Sequence, residues 1–130
     1  MGLKYLYDTN AVIDYIGGNF PNHVVIWTEK VLFNQQIAIS IINKIEVLGF
    51  NAPVAEGLLL EEFINLSVVL QLADSVADKT IELRKSYKIK LPDAIIAATA
   101  IVHDLTLISR NDGDFKNIAG LKYLNPFTDL

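Results

Sequence analysis

Short apolar runs alternate with longer helical stretches along this chain, and that alternation restricts its fold more than any other feature. Residues 4–8, 37–39, 67–70, 106–109 and 121–124 are too short for helices and read as buried strands. Between them lie helical patterns. Asn10 is placed to cap a helix that carries Val12, Ile13, Tyr15 and Ile16 and stops at Gly17-Gly18. Residues 22–33 place Val24, Ile26, Trp27, Val31 and Leu32 at helical spacing. Ser40 is a good cap for residues 41–49, and Pro53 suits the first turn of a helix over residues 52–63. Residues 73–87 are amphipathic, and Pro92 starts a helix that runs to residue 103. Strands separated by helices pair in parallel and are covered on both faces. The expectation is a three-layer α/β sandwich with a mainly parallel central sheet of about five strands.

A chain of 130 residues suits one domain, residues 1–130, with no repeat or linker. Its apolar content, 52% with a mean hydropathy of +0.34, is high. Yet no apolar run reaches the ~20 residues of a membrane span. The longest, residues 94–102, is interrupted by Thr99. The amino terminus lacks a signal-peptide core and a myristoylation pattern. A soluble, cytoplasmic protein without membrane contact is expected. The excess apolar surface, centred on Val24, Trp27 and Val31, suggests a homodimer or another protein partner. Cysteine is absent, which excludes disulfides, thiolate metal sites and a cysteine nucleophile. A net charge of -4 is unusual for a nucleic-acid binder, but cations bound in an acidic pocket reverse its local charge.

Acidic residues recur just after the strands. Asp8 closes the first and is followed by Thr9-Asn10. Glu46 lies on the helix after the second, one turn beyond Asn43. Asp93 opens an apolar helix in Leu91-Pro92-Asp93-Ala94, and Asp112 and Asp114 follow the fourth strand in Ser109-Arg110-Asn111-Asp112-Gly113-Asp114-Phe115. In an open α/β sheet the loops at the carboxyl ends of the strands share one crevice. Carboxylates gathered there repel each other unless a cation lies between them, and all-oxygen ligands suit Mg²⁺ or Mn²⁺.

Each of these residues also has a plainer reading. Asp8 can end a strand, Glu46 can be a solvated helix residue, and Asp93 can complement a helix dipole. The helix after Asp93 is apolar almost all round, so Asp93 stands at the mouth of a buried element. Asp112-Gly113 can form a turn, and the pattern of an EF-hand loop is missing. Lys79, Arg84, Lys85, Lys88 and Lys90 lead up to Asp93, with Tyr87 among them as a base-stacking candidate. They and Arg110 are either nucleic-acid contacts or a solvated face. Asp14, Asp74, Asp78, Glu61 and Glu62 read as ordinary surface acids.

Asp8-Thr9-Asn10, Glu46, Leu-Pro-Asp-Ala before an Ala-rich helix, and Ser-Arg-Asn-x-x-Asp-Phe together resemble a PIN-domain ribonuclease. In size and motif order the chain looks most like a VapC-type toxin, over nearly its whole length. The resemblance implies a metal-dependent endoribonuclease acting on single-stranded RNA, the toxin of a type II pair restrained by a cognate antitoxin. Asp8, Glu46, Asp93 and Asp114 would hold one or two Mg²⁺ or Mn²⁺ ions. Thr9, Asn10, Ser40, Asn43, Ser109 and Asn111 would fix those carboxylates. Asp114 matches the terminal acid before Phe115, while Asp112 remains the alternative last ligand.

Other readings are a PIN-like module that binds RNA or protein with little or no cleavage, a receiver domain, and an Asp-x-Asp phosphatase. A receiver needs paired acids after the first strand, an acid after the third and a lysine after the fifth, and none is present. The phosphatase needs an acid where Asn10 stands.

Overall fold

The computed structural model describes residues 2–130. The chain runs β1 (Tyr5–Tyr7), α1 (Thr9–Ile16), α2 (Asn22–Phe33), β2 (Ile37–Ser40), α3 (Ile41–Leu48), α4 (Val54–Leu66), β3 (Val68–Leu70), α5 (Asp74–Ser86), α6 (Leu91–Val102), β4 (Thr106–Ile108), α7 (Asp112–Phe115) and β5 (Lys122–Leu124). All four strand pairings are parallel, in the order β3-β2-β1-β4-β5. The α/β sandwich expected from the alternation is therefore present, with β1 at its centre. The order turns back at β1, so the segments that leave the paired strands β1 and β4 diverge and open a crevice at their carboxyl ends.

Strand side chains alternate between two cores. Leu6, Ala38 and Leu107 pack with α5 and α6. Tyr7, Ile37, Ile39 and Ile108 face the layer that holds α1, α2 and α4. Residues Ala94 to Ala100 of α6 are all buried, and the alanines among them let the helix lie close to the sheet. Tyr7 is wholly buried and its hydroxyl meets Thr28 Oγ1 at 3.2 Å. Burial raises its pKa above the ordinary phenol value.

Several local expectations change. Asp8, not Asn10, is the N-cap of α1, because strand β1 ends one residue earlier and leaves Asp8 extended. Pro53 is the N-cap of α4, which begins at Val54 and continues to Leu66. The face of α2 expected to meet a partner is spent inside the molecule. Val24 and Val31 are buried, and Trp27 packs edge-on against Tyr5 at 4.9 Å. Ile26 and Phe33 of α2 remain exposed, and Leu48, Phe50, Val54 and Leu58 form an exposed apolar groove between α3 and α4. No helix of the described residues is long and apolar enough to cross a membrane.

Candidate active site

The cleft outside the carboxyl ends of β1 and β4 has a volume of about 530 Å³ and is lined by Asp8, Glu46, Asp93 and Arg110 among others. Its floor is built from two helix starts. The backbone N–H of Asp8 donates to Ile108 O at 3.0 Å, which seats the end of β1 against β4. Asp8 then caps α1, and Ser40 caps α3 through a capping box with Asn43. Asn43 Nδ2 donates onward to Asp8 Oδ1 and to Thr9 Oγ1, both at 3.1 Å. Thr9 Oγ1 donates in turn to Glu46 Oε1 at 2.7 Å. One polar chain thus fixes the acids of two elements relative to each other.

Asp8 is almost fully buried and accepts four hydrogen bonds. Oδ1 takes Thr9 N–H and Asn43 Nδ2, while Oδ2 takes Asn10 Nδ2 at 3.1 Å and Ser109 Oγ at 2.8 Å. Burial pushes its pKa up, these bonds push it back, and the charge of Glu46 adds to the rise. Asp93, in the first turn of α6, rises to about 6. Burial is the largest cause, followed by a hydrogen bond and charge repulsion from Asp114, then by Asp8 and Glu46. Asp93 and Asp114 therefore lie side by side, and the charge of Asp114 favours the protonated form of Asp93.

Asp112 and Asp114 separate cleanly. Asn111 Nδ2 donates to Asp114 Oδ2 at 2.7 Å, and Phe115 is fully buried beneath the turn. Asp112 Oδ1 accepts from Tyr123 Oη at 2.6 Å and Asn125 Nδ2 at 3.2 Å, on the β5 side. These two bonds, Tyr123 first, lower the pKa of Asp112. Asn111 occupies the N-cap position of α7 but makes no side-chain cap bond, because its amide is turned to Asp114 instead.

The donor set tests the implied cofactor. It is all oxygen, with neither thiolate nor imidazole, and suits a hard divalent ion. Among the described residues, however, no three acids or histidines converge tightly enough to hold an ion as they stand. Asp8 is in addition fully engaged. Its four donors fill the four lone-pair sites of a carboxylate, so an ion there takes the place of one donor. The chemistry fits; the side chains must re-aim to bring it to one point.

Comparison with known proteins places the fold in a family. Residues 5–121 match the PIN domain family. The chain belongs to the PIN-domain family. A toxin–antitoxin complex from Klebsiella pneumoniae contains a chain with 31% identity and a TM-score of 0.77, covering 95% of this chain and 98% of that one. VapBC2 from Rickettsia felis, bound to a DNA fragment from its promoter, gives 25% identity and a TM-score of 0.79 over 96% and 98%. DNA-bound VapBC from Salmonella typhimurium gives 28% and 0.76 over 95% and 98%. No curated protein sequence matches significantly. The likeness to VapC-type PIN toxins extends over nearly the full length.

This PIN domain brings Asp8, Glu46 and Asp93 into one cleft, with Asp114 beside Asp93. Thr9, Asn10, Asn43, Ser109 and Asn111 all hydrogen-bond an acid of the cluster, whereas Ser40 reaches it only through Asn43. The basic run does not line the cleft. Arg84 Nη1 donates to Ile89 O, while Lys85, Lys88 and Lys90 are exposed along the approach to α6. Tyr87 is tied by its hydroxyl to Ala119 N at 2.8 Å. Asp14 corrects an expectation. It is 7% exposed and pairs with Arg110 Nε at 2.8 Å, so it is not a surface acid. Its spacing from Asn10, one helical turn on α1, was the signal that it faces the same side.

Proposed function

We propose that this PIN domain is a metal-dependent endoribonuclease that cuts single-stranded RNA and serves as the toxin of a type II toxin–antitoxin pair. The observation that carries the reading is the convergence of Asp8, Glu46 and Asp93 on one cleft, with Asp114 against Asp93. Asp8, Glu46, Asp93 and Asp114 would hold one or two Mg²⁺ or Mn²⁺ ions. Such ions lower the pKa of a bound water and neutralise charge on a phosphodiester. The rest falls to the chain. Thr9, Asn10, Asn43 and Ser109 keep the carboxylates aimed. Asp93 must lose its proton before it can act as a ligand.

Purified protein should cut a single-stranded oligoribonucleotide in Mg²⁺ or Mn²⁺ and stop in EDTA. Cleavage at limiting Mn²⁺ should fall as the pH drops through about 6, where Asp93 takes up its proton. Excess Mn²⁺ should move that fall to lower pH, because ion and proton compete. Absence of cleavage at any pH and ion concentration would sink the reading.

The partners follow from exposed apolar surface and from the relatives, which are toxin–antitoxin complexes. The groove lined by Leu48, Phe50, Val54 and Leu58 meets the acidic cleft at Phe50, which lines both. An antitoxin segment lying in that groove would exclude RNA from the cleft. The isolated chain is proposed to be a cytoplasmic homodimer. Light scattering should return twice the chain mass, and a monomer at high micromolar concentration would refute the dimer.

A further inference from the structure

Arg110 is the only basic residue among those lining the cleft. Its position is fixed from two sides by α1. The backbone N–H of Arg110 donates to Asn10 Oδ1 at 3.2 Å, and Nε donates to Asp14 Oδ2 at 2.8 Å. Asp14 is 7% exposed, while the Arg110 side chain is 57% exposed. A buried carboxylate therefore grips one edge of a guanidinium whose remaining edge is open. The terminal N–H groups of Arg110 have no hydrogen-bond partner among the described residues, although a guanidinium carries a planar fork suited to phosphate oxygens.

The neighbouring acids make this arrangement informative. Asp8, Glu46 and Asp93 line the same cleft, and a free guanidinium would be drawn to them. Arg110 does not pair with them: among the described residues its one ion pair is with Asp14. Its charge is spent on Asp14 instead. Asp14 offers a fixed, partly desolvated partner, where a charge-assisted bond is stronger than in water.

We infer that Asp14 is a positioning residue that holds Arg110 off the cluster of acids and presents it to a backbone phosphate of the RNA strand in the cleft. This deepens the endoribonuclease reading and rests on it for the substrate. The acidic cleft needs such a group, because bound ions compensate the acids at the reacting phosphate while neighbouring phosphates still meet a net negative wall.

The test compares Arg110→Ala, Asp14→Asn and the double variant with the unmodified protein. It reads steady-state cleavage of a single-stranded oligoribonucleotide, Mn²⁺ affinity without RNA, and thermal melting in EDTA. Arg110→Ala should raise KM about tenfold with kcat nearly unchanged, as expected for one lost charge-assisted bond. The slope of log KM against log salt should fall by roughly 0.7, the value for one phosphate contact on a single strand. Asp14→Asn should raise KM and also weaken Mn²⁺ binding severalfold, because a neutral amide holds Arg110 more weakly than the carboxylate and lets it turn onto the acids. The double variant should recover Mn²⁺ affinity but not KM.

Unchanged KM in Arg110→Ala would overturn the phosphate role. Unchanged Mn²⁺ affinity in Asp14→Asn, or failure of the double variant to restore it at equal thermal stability, would overturn the positioning role. If the unmodified protein cuts no RNA, the endoribonuclease reading falls and the phosphate role with it. The Mn²⁺ series still decides whether Asp14 restrains Arg110.

Discussion

Asp8→Asn should reduce RNA cleavage by roughly three orders of magnitude or more, as removal of a central member of a cooperating site does, while the protein stays folded. Two opposing effects set its stability. The neutral amide no longer pays for burying a charge, which lifts the pressure seen on the Asp8 pKa. Against that, the amide nitrogen faces donors that formerly met an oxygen. Ser109 Oγ can turn from donor to acceptor, whereas the Asn10 amide is held by the Arg110 N–H that its Oδ1 accepts, so one contact is lost. Melting in EDTA should therefore move by only about 1 kcal/mol in stability.

Asp8→Ala is a different experiment. It removes the side-chain cap of α1 and the acceptor for Asn43, Asn10 and Ser109 together. A lost cap costs about 1 kcal/mol and orphaned buried donors add about 1–3 more, so both fold and activity should suffer. The informative comparison is activity against melting temperature for the two variants. Cleavage by Asp8→Asn within tenfold of the unmodified protein would remove Asp8 from the active centre.

Asp114→Asn should cost at least about a hundredfold in cleavage and weaken Mn²⁺ binding at least about tenfold, since it deletes a carboxylate from a shared site. It also removes the acid next to Asp93, so the Asp93 carboxyl should titrate lower. Asp112→Asn should be mild. Its Oδ1 would still accept from Tyr123 Oη and Asn125 Nδ2, and those partners hold it toward β5, away from the Asn111–Asp114 pair. Parallel measurement of Mn²⁺ affinity and cleavage rate decides between the two acids. A larger loss in Asp112→Asn would make it the last ligand and would mean that the α7 turn rearranges when an ion binds.

Much of this protein is legible in short stretches of chain. Apolar runs too short for helices mark the five strands, and helical spacing between them dictates parallel pairing. Ser40 with Asn43 is a local cap, and both partners of that box lie three residues apart. The acids after the strands are also a local signal, because in a parallel sheet every strand delivers its carboxyl end to the same edge. What the linear order leaves open is where each side chain is spent. Val24 and Val31 could face a partner or the core by periodicity alone; the sheet buries them, and α3 and α4 keep the exposed apolar groove. Asp14 resembles any helical surface acid until Arg110, 96 residues later, closes over it. Asp112 and Asp114 differ only through Tyr123 and Asn125, which reach Asp112 from β5 and its end. Element identity depends on neighbours within a helical turn, so the sequence by itself determined it. The direction of a carboxylate depends on donors supplied by distant strands, so only the tertiary structure decided it.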